Sequence, residues 1–519
     1  MFEWLKKPLL AAVLLVAAWT GWRLTALDRT GIPAPRHVDE FSYLLGADTF
    51  ARGRLANSAH PLSEFFESPH ILVRPVYASK YPPGQAMFLA LGERLGSPFY
   101  GVLMGDALML FTFCLMLFAW VPPRWALAVS LTMCLCLRPS MYWTNSYWGG
   151  SVAASGGALV LLGIALYRKR QSPLSGAVFA MGVLLLFWTR PYEGGILTLA
   201  VLIVFGKELW RTRRAGAVLT AALLLAVGMA WTGYDNVAIT GNAFRLPYME
   251  YMAQYNYAPE LWILPTVPLP HYTHARLLAY WGPTGSEAAT YFSYRPWWHG
   301  IVQGVGLAVT SLRLWPALLL ILCFPFGKRE QLFRKMAFVV GVCLIALAVE
   351  LFHFEHYSAP AWAAIAILMA VWAEHAWDFR ARGLPVGKVL VLLALGSPVI
   401  DALVMPQLAK RIELFHSPAS LGPSNWGNQR EALIRQLSAL DHRQLVIVRY
   451  PAPGWNNYEE WVYNDADIDD QRVVFAHDLG AVEDRALLRY YPQRTAWLLT
   501  FDPVTEREQV ELYPRGPTQ

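Results

Sequence analysis

The sequence predicts a mainly α-helical, polytopic membrane protein with about eleven transmembrane helices and a small α/β domain at the C-terminal end. Composition is the first reason: 55% of the 519 residues are hydrophobic and 15% are charged, against about 25% charged in soluble domains. The mean hydropathy is +0.32. Patterning is the second, since long apolar runs alternate with short clusters of Lys and Arg. Beyond residue 406 the long runs stop, and short strand-like segments alternate with helical ones.

The apolar segments fall at roughly 8–27, 98–119, 124–143, 149–167, 174–189, 194–206, 215–232, 312–326, 336–352, 358–377 and 388–405. The first follows Lys6-Lys7 and runs through Trp19 and Trp22 without a small-residue cleavage site, so it reads as an uncleaved anchor. Apolar residues also precede 312, so that span starts earlier or follows an interfacial helix. With the N-terminus cytoplasmic, the basic clusters fall on one side: Arg124; Arg168, Lys169 and Arg170; Lys207, Arg211, Arg213 and Arg214; Lys328, Arg329, Arg334 and Lys335; Arg380, Arg382 and Lys388. The expected location is a bacterial inner membrane. The outer, periplasmic face then receives the loops 28–97 and 233–297 and the C-terminal domain.

The net charge of +6 resides in these orientation clusters, so no nucleic-acid partner is implied; membrane lipids are. The 22 Trp suit rings seated at headgroup level. Cys114, Cys134, Cys136, Cys323 and Cys343 all lie in apolar runs, which argues against a disulfide framework.

Two domains are expected: a transmembrane domain, 1–406, and an outer α/β domain, 407–519. In the first outer loop Phe41, Leu44, Leu45, Ala47, Phe50 and Ala51 recur at helical spacing. They predict an amphipathic helix from Asp39 to Leu55 lying on the membrane. Gly84 to Gly96 predicts a second, entered through Pro82-Pro83. In the tail, Asn428–Leu440 and Glu483–Tyr490 read as helices and Gln444–Val448, Arg472–Ala476 and Ala496–Phe501 as buried strands, giving a partly parallel sheet.

The candidate chemistry lies on the outer face. Asp39 and Glu40 open the first loop helix, where the helix dipole favours ionised carboxylates. They read either as a helix-capping pair or as a general base with a neighbour that binds sugar or a metal ion. His37 is close enough to orient either carboxylate, and Tyr43 lies one turn on. Lys80, beside Tyr81, is pre-ordered by Pro82 and Pro83 and suits a phosphate clamp; a solvated lysine is the plain alternative. Arg190, Tyr192 and Glu193 sit at a membrane-level turn, either as a functional group or as an ion pair closing the turn. Asn145, Tyr147 and Trp148 offer a carbohydrate subsite or an interfacial belt. His353, Glu355, His356 and Tyr357 have ligand chemistry without a recognised zinc spacing, which favours hydrogen bonds to substrate. The acidic run Asp465–Asp470 lacks the glycine and distal glutamate of a calcium loop and reads as solvated.

These motifs, His37-Val38-Asp39-Glu40-Phe41-Ser42-Tyr43, Lys80-Tyr81-Pro82-Pro83-Gly84, Asn145–Gly150, Arg190–Gly194 and Glu355-His356-Tyr357, resemble the GT-C superfamily of polyprenyl-phosphate-sugar-dependent glycosyltransferases. The likeness covers roughly 1–405 and is greatest to the protein O-mannosyltransferase and aminoarabinose-transferase branch and its bacterial RgtA/B/C/D-like members. It implies an inverting transfer of a sugar from a polyprenyl-phosphate donor to an acceptor hydroxyl. Asp39 would be the base and Glu40 a sugar or acceptor ligand. Lys80, with Arg190 or His356, would hold the departing phosphate. Ser79 stands where the aminoarabinose branch has glutamate, so the resemblance leaves a divalent metal ion undecided. A glycan ligase or polymerase using lipid-linked donors is the alternative, ahead of a transporter or flippase, whose path would need more ionisable residues mid-span.

Overall fold

The computed structural model describes residues 3–139, 141–170, 172–212, 214–311, 314–409, 426–451, 459–502, 505 and 507–514. Arg213, counted among the orientation residues, and part of the tail lie outside the described residues. The chain divides into two compact units: Met1–Ile32 with Phe99–Trp231 and Pro296–Ser420, and Pro33–Pro98 with Thr232–Arg295 and Leu421–Gln519.

Six helices among the described residues are long and apolar enough to cross a membrane: Lys7–Thr30, Pro98–Trp120, Ser151–Arg170, Ala215–Thr240, Gln331–Ala348 and Ala359–Ala376. They make the chain a multi-pass membrane protein. A seventh span forms if Val386–Leu395 and Ser397–Val404, bent by 64° at their junction, count as one. The other expected segments are helical too, as Pro123–Cys136, Pro173–Phe187, Pro191–Thr212 and Trp315–Cys323, the last preceded by a separate helix, Trp297–Ser311.

The first unit is built round Trp362–Ala376. Every residue from Trp362 to Ala373 is buried, as expected of a helix that is apolar on all sides. Ser151–Arg170 and Pro173–Phe187 approach so closely that a Cβ on Gly182 would lie 2.6 Å from the Val160 nitrogen and 2.8 Å from the Gly156 carbonyl. Without an aqueous driving force between helices, this close small-residue packing is what dispersion forces require.

In the second unit the helix Val38–Ala51 ends at Gly53, whose φ of +75° an L side chain rarely adopts. It was expected to lie on the membrane, but its apolar residues are covered by protein. Phe41 stacks on Tyr463 at 4.4 Å and tilts against Trp426 at 5.5 Å, with the Arg430 guanidinium 5.0 Å from its ring. The helix Pro83–Arg94 packs against it where Gly46 meets Ala86; a Cβ on Gly46 would lie 3.0 Å from that of Ala86. Three short strands, β1 (Asn57–Ser58), β2 (Ile71–Leu72) and β3 (Val76–Ser79), form an antiparallel sheet in the order β1-β3-β2.

The tail folds as its pattern predicts, with one addition. Strands β4 (Gln444–Arg449), β5 (Val473–His477) and β6 (Thr495–Asp502) are parallel, with β4 central, and β7 (Arg507–Leu512) pairs antiparallel with β6. The helices are Trp426–Ser438 and Asp484–Tyr490. One hydrophobic cluster holds Val38, Phe41, Leu45, Phe65 and Phe66 of the first loop together with Trp426, Trp461 and Phe475 of the tail. The acidic run is partly engaged: Asp467 pairs with Arg52 at 2.8 Å and Arg54 at 2.7 Å, and Asp469 accepts from the hydroxyls of Tyr490 at 3.0 Å and Tyr491 at 2.5 Å.

Trp426 is fully buried and donates its indole N–H to the Arg36 carbonyl at 3.0 Å. Trp426→Ala is therefore expected to destabilise this unit by about 3–5 kcal/mol. Thermal unfolding of detergent-solubilised protein measures it, and an unshifted midpoint would mean that the tail does not secure the Asp39 helix.

Candidate functional site

In the second unit the Asp39 side chain is assembled from three segments. The turn into the first loop helix is closed by Glu40, which is buried and accepts the Arg36 backbone N–H at 3.1 Å. His37 is the N-cap residue, with extended backbone. Glu40 thus secures the turn, while Asp39 keeps 20% of its side chain exposed. Tyr81 donates its hydroxyl to Asp39 Oδ1, and Tyr43 stacks on the Tyr81 ring at 4.4 Å. Asp39 Oδ2 lies 3.8 Å from His70 Nε2.

His70 adopts φ 67°, a left-handed conformation that costs a non-glycine residue about 1–3 kcal/mol. Its backbone is held on both sides. The N–H donates to the Tyr251 hydroxyl at 2.8 Å, and the carbonyl accepts from Ser42 Oγ at 2.6 Å and from the Lys80 N–H at 3.2 Å. Trp281 also donates its indole N–H to the Tyr251 hydroxyl, at 2.9 Å.

Lys80 is buried. Its ammonium lies 4.8 Å from the Tyr248 ring centroid, 5.0 Å from Tyr251, 5.1 Å from Tyr81 and 5.3 Å from Trp281. Such a cage stabilises a cation through the ring quadrupoles while removing competing water. Glu287, also buried, accepts from the Tyr280 hydroxyl.

Burial opposes ionisation of Asp39, but the polar and charged groups round it, the Tyr81 hydroxyl and Lys80 among them, outweigh it and hold its carboxyl below the ordinary range. The group is ionised through neutral pH. Burial, then the nearby Lys80, depresses the His70 imidazole to about 3, so it is neutral. Glu287 is driven the other way, well above the usual carboxylate value, by burial and then by Glu260.

His477 is likewise depressed by burial, to about 3. An unfolded chain binds a proton at each such histidine near pH 6.5, whereas the folded protein resists until about 3. The stability they confer is present above pH 6.5 and is lost on acidification toward 3, by about 2 kcal/mol per histidine at pH 5. Lower melting temperatures at pH 5.0 than at pH 7.5 are expected, with a smaller drop in His477→Gln. An equal drop would exclude His477 as a source.

The remaining candidates lie in the first unit. The Arg190 guanidinium stacks 4.1 Å from the Tyr357 ring and sits 3.6 Å from Glu193. Tyr192 donates its hydroxyl to the Ala346 carbonyl at 3.3 Å. His356 Nδ1 is hydrogen-bonded to the Tyr142 hydroxyl, and its ring packs on Trp148 at 5.1 Å and Tyr357 at 4.9 Å. Asn145 accepts from Arg23 at 2.5 Å, and Tyr147 and Trp148 are buried against Phe99 and Phe354. Asn145 is half-buried.

The sequence reading missed His70, Tyr248, Tyr251, Tyr280, Trp281 and Glu287. The spacing of Tyr248, Tyr251 and Tyr255 does carry a helical signal, and Pro247–Tyr255 is a helix. Among the described residues no group of three His, Cys, Asp or Glu side chains is placed to hold a metal ion. Ser79, at the position raised above, shares a hydrogen bond with Ser42 at 2.8 Å and accepts the Tyr81 N–H at 3.1 Å. A hydroxyl already committed in this way does not fit a metal ligand.

A multi-pass helical unit, with long loops that fold against a small α/β tail, is a fold shared with a solved membrane-protein structure. The solved structure that carries this comparison is ArnT from Cupriavidus metallidurans bound to undecaprenyl phosphate, which is 13% identical over 95% of this chain and 93% of its own, with a TM-score of 0.50. AglB from Archaeoglobus fulgidus, solved with an inhibitory peptide and a dolichol-phosphate, aligns over 96% of this chain and 70% of its own at 10% identity and a TM-score of 0.43. No protein-family model matches the sequence, and no curated protein matches it.

Proposed function

We propose that the chain is a membrane glycosyltransferase that moves a sugar from a polyprenyl-phosphate donor to an acceptor hydroxyl, with inversion, on the outer face of a bacterial inner membrane. The observation that carries this reading is the pairing of an ionised, partly open Asp39 with a ring-caged Lys80 on one compact unit. The fold is shared with a protein solved with undecaprenyl phosphate bound, which favours a lipid-linked phosphate as the donor.

In the proposed step the acceptor hydroxyl gives its proton to Asp39 Oδ2 as its oxygen bonds to the anomeric carbon. The bond from that carbon to the phosphate oxygen breaks, and the polyprenyl phosphate leaves with the electron pair. A carboxylate held below its ordinary range is a weak base, so the proton moves only as the new bond forms. Charge growing on the departing phosphate is met by Lys80, whose cage costs no reorganisation at that moment.

The test is incubation of liposome-reconstituted protein with undecaprenyl-phosphate-linked hexoses and pentoses and hydroxyl acceptors, following release of undecaprenyl phosphate. Acceptor-dependent release with an inverted anomeric product is the expected result. Net movement of intact donor across the bilayer, without cleavage, would replace this reading with a transporter.

A further inference from the structure

The geometry points to Tyr280 and Glu287 as positioning residues that keep Asp39 Oδ2 free to act as the base, by drawing the His70 N–H away from it. The inference rests on the assignment of Asp39 above and starts from the neutral imidazole. One ring nitrogen must carry a proton. His70 Nδ1 is buried without a hydrogen-bond partner among the described residues, so a proton there would leave a buried donor unsatisfied, at a cost. Nε2 has two neighbours, the Tyr280 oxygen at 3.3 Å and Asp39 Oδ2 at 3.8 Å. The proton therefore belongs on Nε2.

Tyr280 can accept that N–H only if its own hydroxyl hydrogen is used elsewhere, and the Glu287 carboxyl takes it. Donation then runs from His70 to Tyr280 to Glu287. The backbone of His70 is held by Tyr251, Ser42 and Lys80, so only rotation of the side chain changes which acceptor its N–H meets. The result is a separation from Asp39 Oδ2 beyond hydrogen-bonding distance. Oδ1 is already occupied by Tyr81, so Oδ2 is the carboxylate atom left for an acceptor hydroxyl. The other charged neighbours are His37 and Lys80 around Asp39, and Glu260 and Lys80 around Glu287.

In Tyr280→Phe the N–H has only Oδ2 to turn to, and it occupies the base. The expected outcome is a kcat about tenfold lower with the KM for donor unchanged. Glu287→Leu should behave alike, and Glu287→Gln, whose amide oxygen still accepts from Tyr280, should retain the wild-type kcat. A second readout needs no turnover: nitrogen-15 solid-state NMR of histidine-labelled full-length protein at pH 7.5, with His70 assigned by its loss in His70→Gln. An Nε2–H tautomer in the wild type supports the arrangement, and an Nδ1–H tautomer overturns it. Wild-type kcat in Tyr280→Phe, with Asp39→Asn inactive, overturns the positioning role alone. Full turnover by Asp39→Asn instead removes the base assignment.

Discussion

Asp39→Asn is expected to lower kcat for sugar transfer by about 10²–10⁴-fold while leaving the fold intact. The amide matches the carboxylate in shape and can still accept the Tyr81 hydroxyl, so the packing of Tyr81 on Tyr43 at 4.4 Å is preserved. It cannot take a proton from an acceptor hydroxyl. The donor KM should change little, because the proton moves only in the transition state and ground-state binding of the lipid phosphate does not depend on it. The complementary variant is Glu40→Gln. Glu40 is buried on the Arg36 backbone N–H, a bond that an amide oxygen also accepts, and its kcat should stay within a few-fold of wild type. Equal losses in the two variants would show that both carboxylates act on the reacting groups.

How far the sequence revealed this arrangement depends on the length scale of each signal. The parallel strands β4 and β5 were legible because their side chains are largely buried and their sequences are nearly continuous apolar runs, and β6 because of its apolar centre, Ala496–Leu499. Strand β7 was not, because all six of its residues are exposed and Arg507-Glu508-Gln509 carries no apolar pattern. The helix Val38–Ala51 was legible as a helix but not as a buried one. Its covering residues, Trp426 and Tyr463, lie about four hundred positions away. The same distinction governs the site. Asp39 and Lys80 stood out through their immediate neighbours, the helix start and the Pro82-Pro83 pair. His70 has no such local mark. Its place follows from a left-handed backbone and from hydrogen bonds to Tyr251 and Tyr280, 181 and 210 positions on. Asn145 carries a local mark, a polar side chain beside aromatics, but its bond to the buried Arg23, 122 positions back, has none.

Lys80→Met is expected to weaken donor use by about 10–10²-fold without destabilising the protein. The two halves of this result separate a catalytic cation from a structural one. A charge-assisted hydrogen bond to a phosphate oxygen contributes about 1.5–3 kcal/mol, which gives the loss in kcat/KM at 1.36 kcal/mol per tenfold. Met fills nearly the same volume and places a polarisable thioether among Tyr81, Tyr248, Tyr251 and Trp281, a contact that is itself favourable. Burying an ammonium carries a desolvation penalty that packing an apolar side chain of similar size does not, so such exchanges are often neutral or stabilising. The melting temperature of Lys80→Met should therefore equal or exceed that of the wild type, and added undecaprenyl phosphate should raise it less. If the variant instead melts well below the wild type and keeps its response to the lipid, Lys80 holds the aromatic cage together and the phosphate is met by another cation.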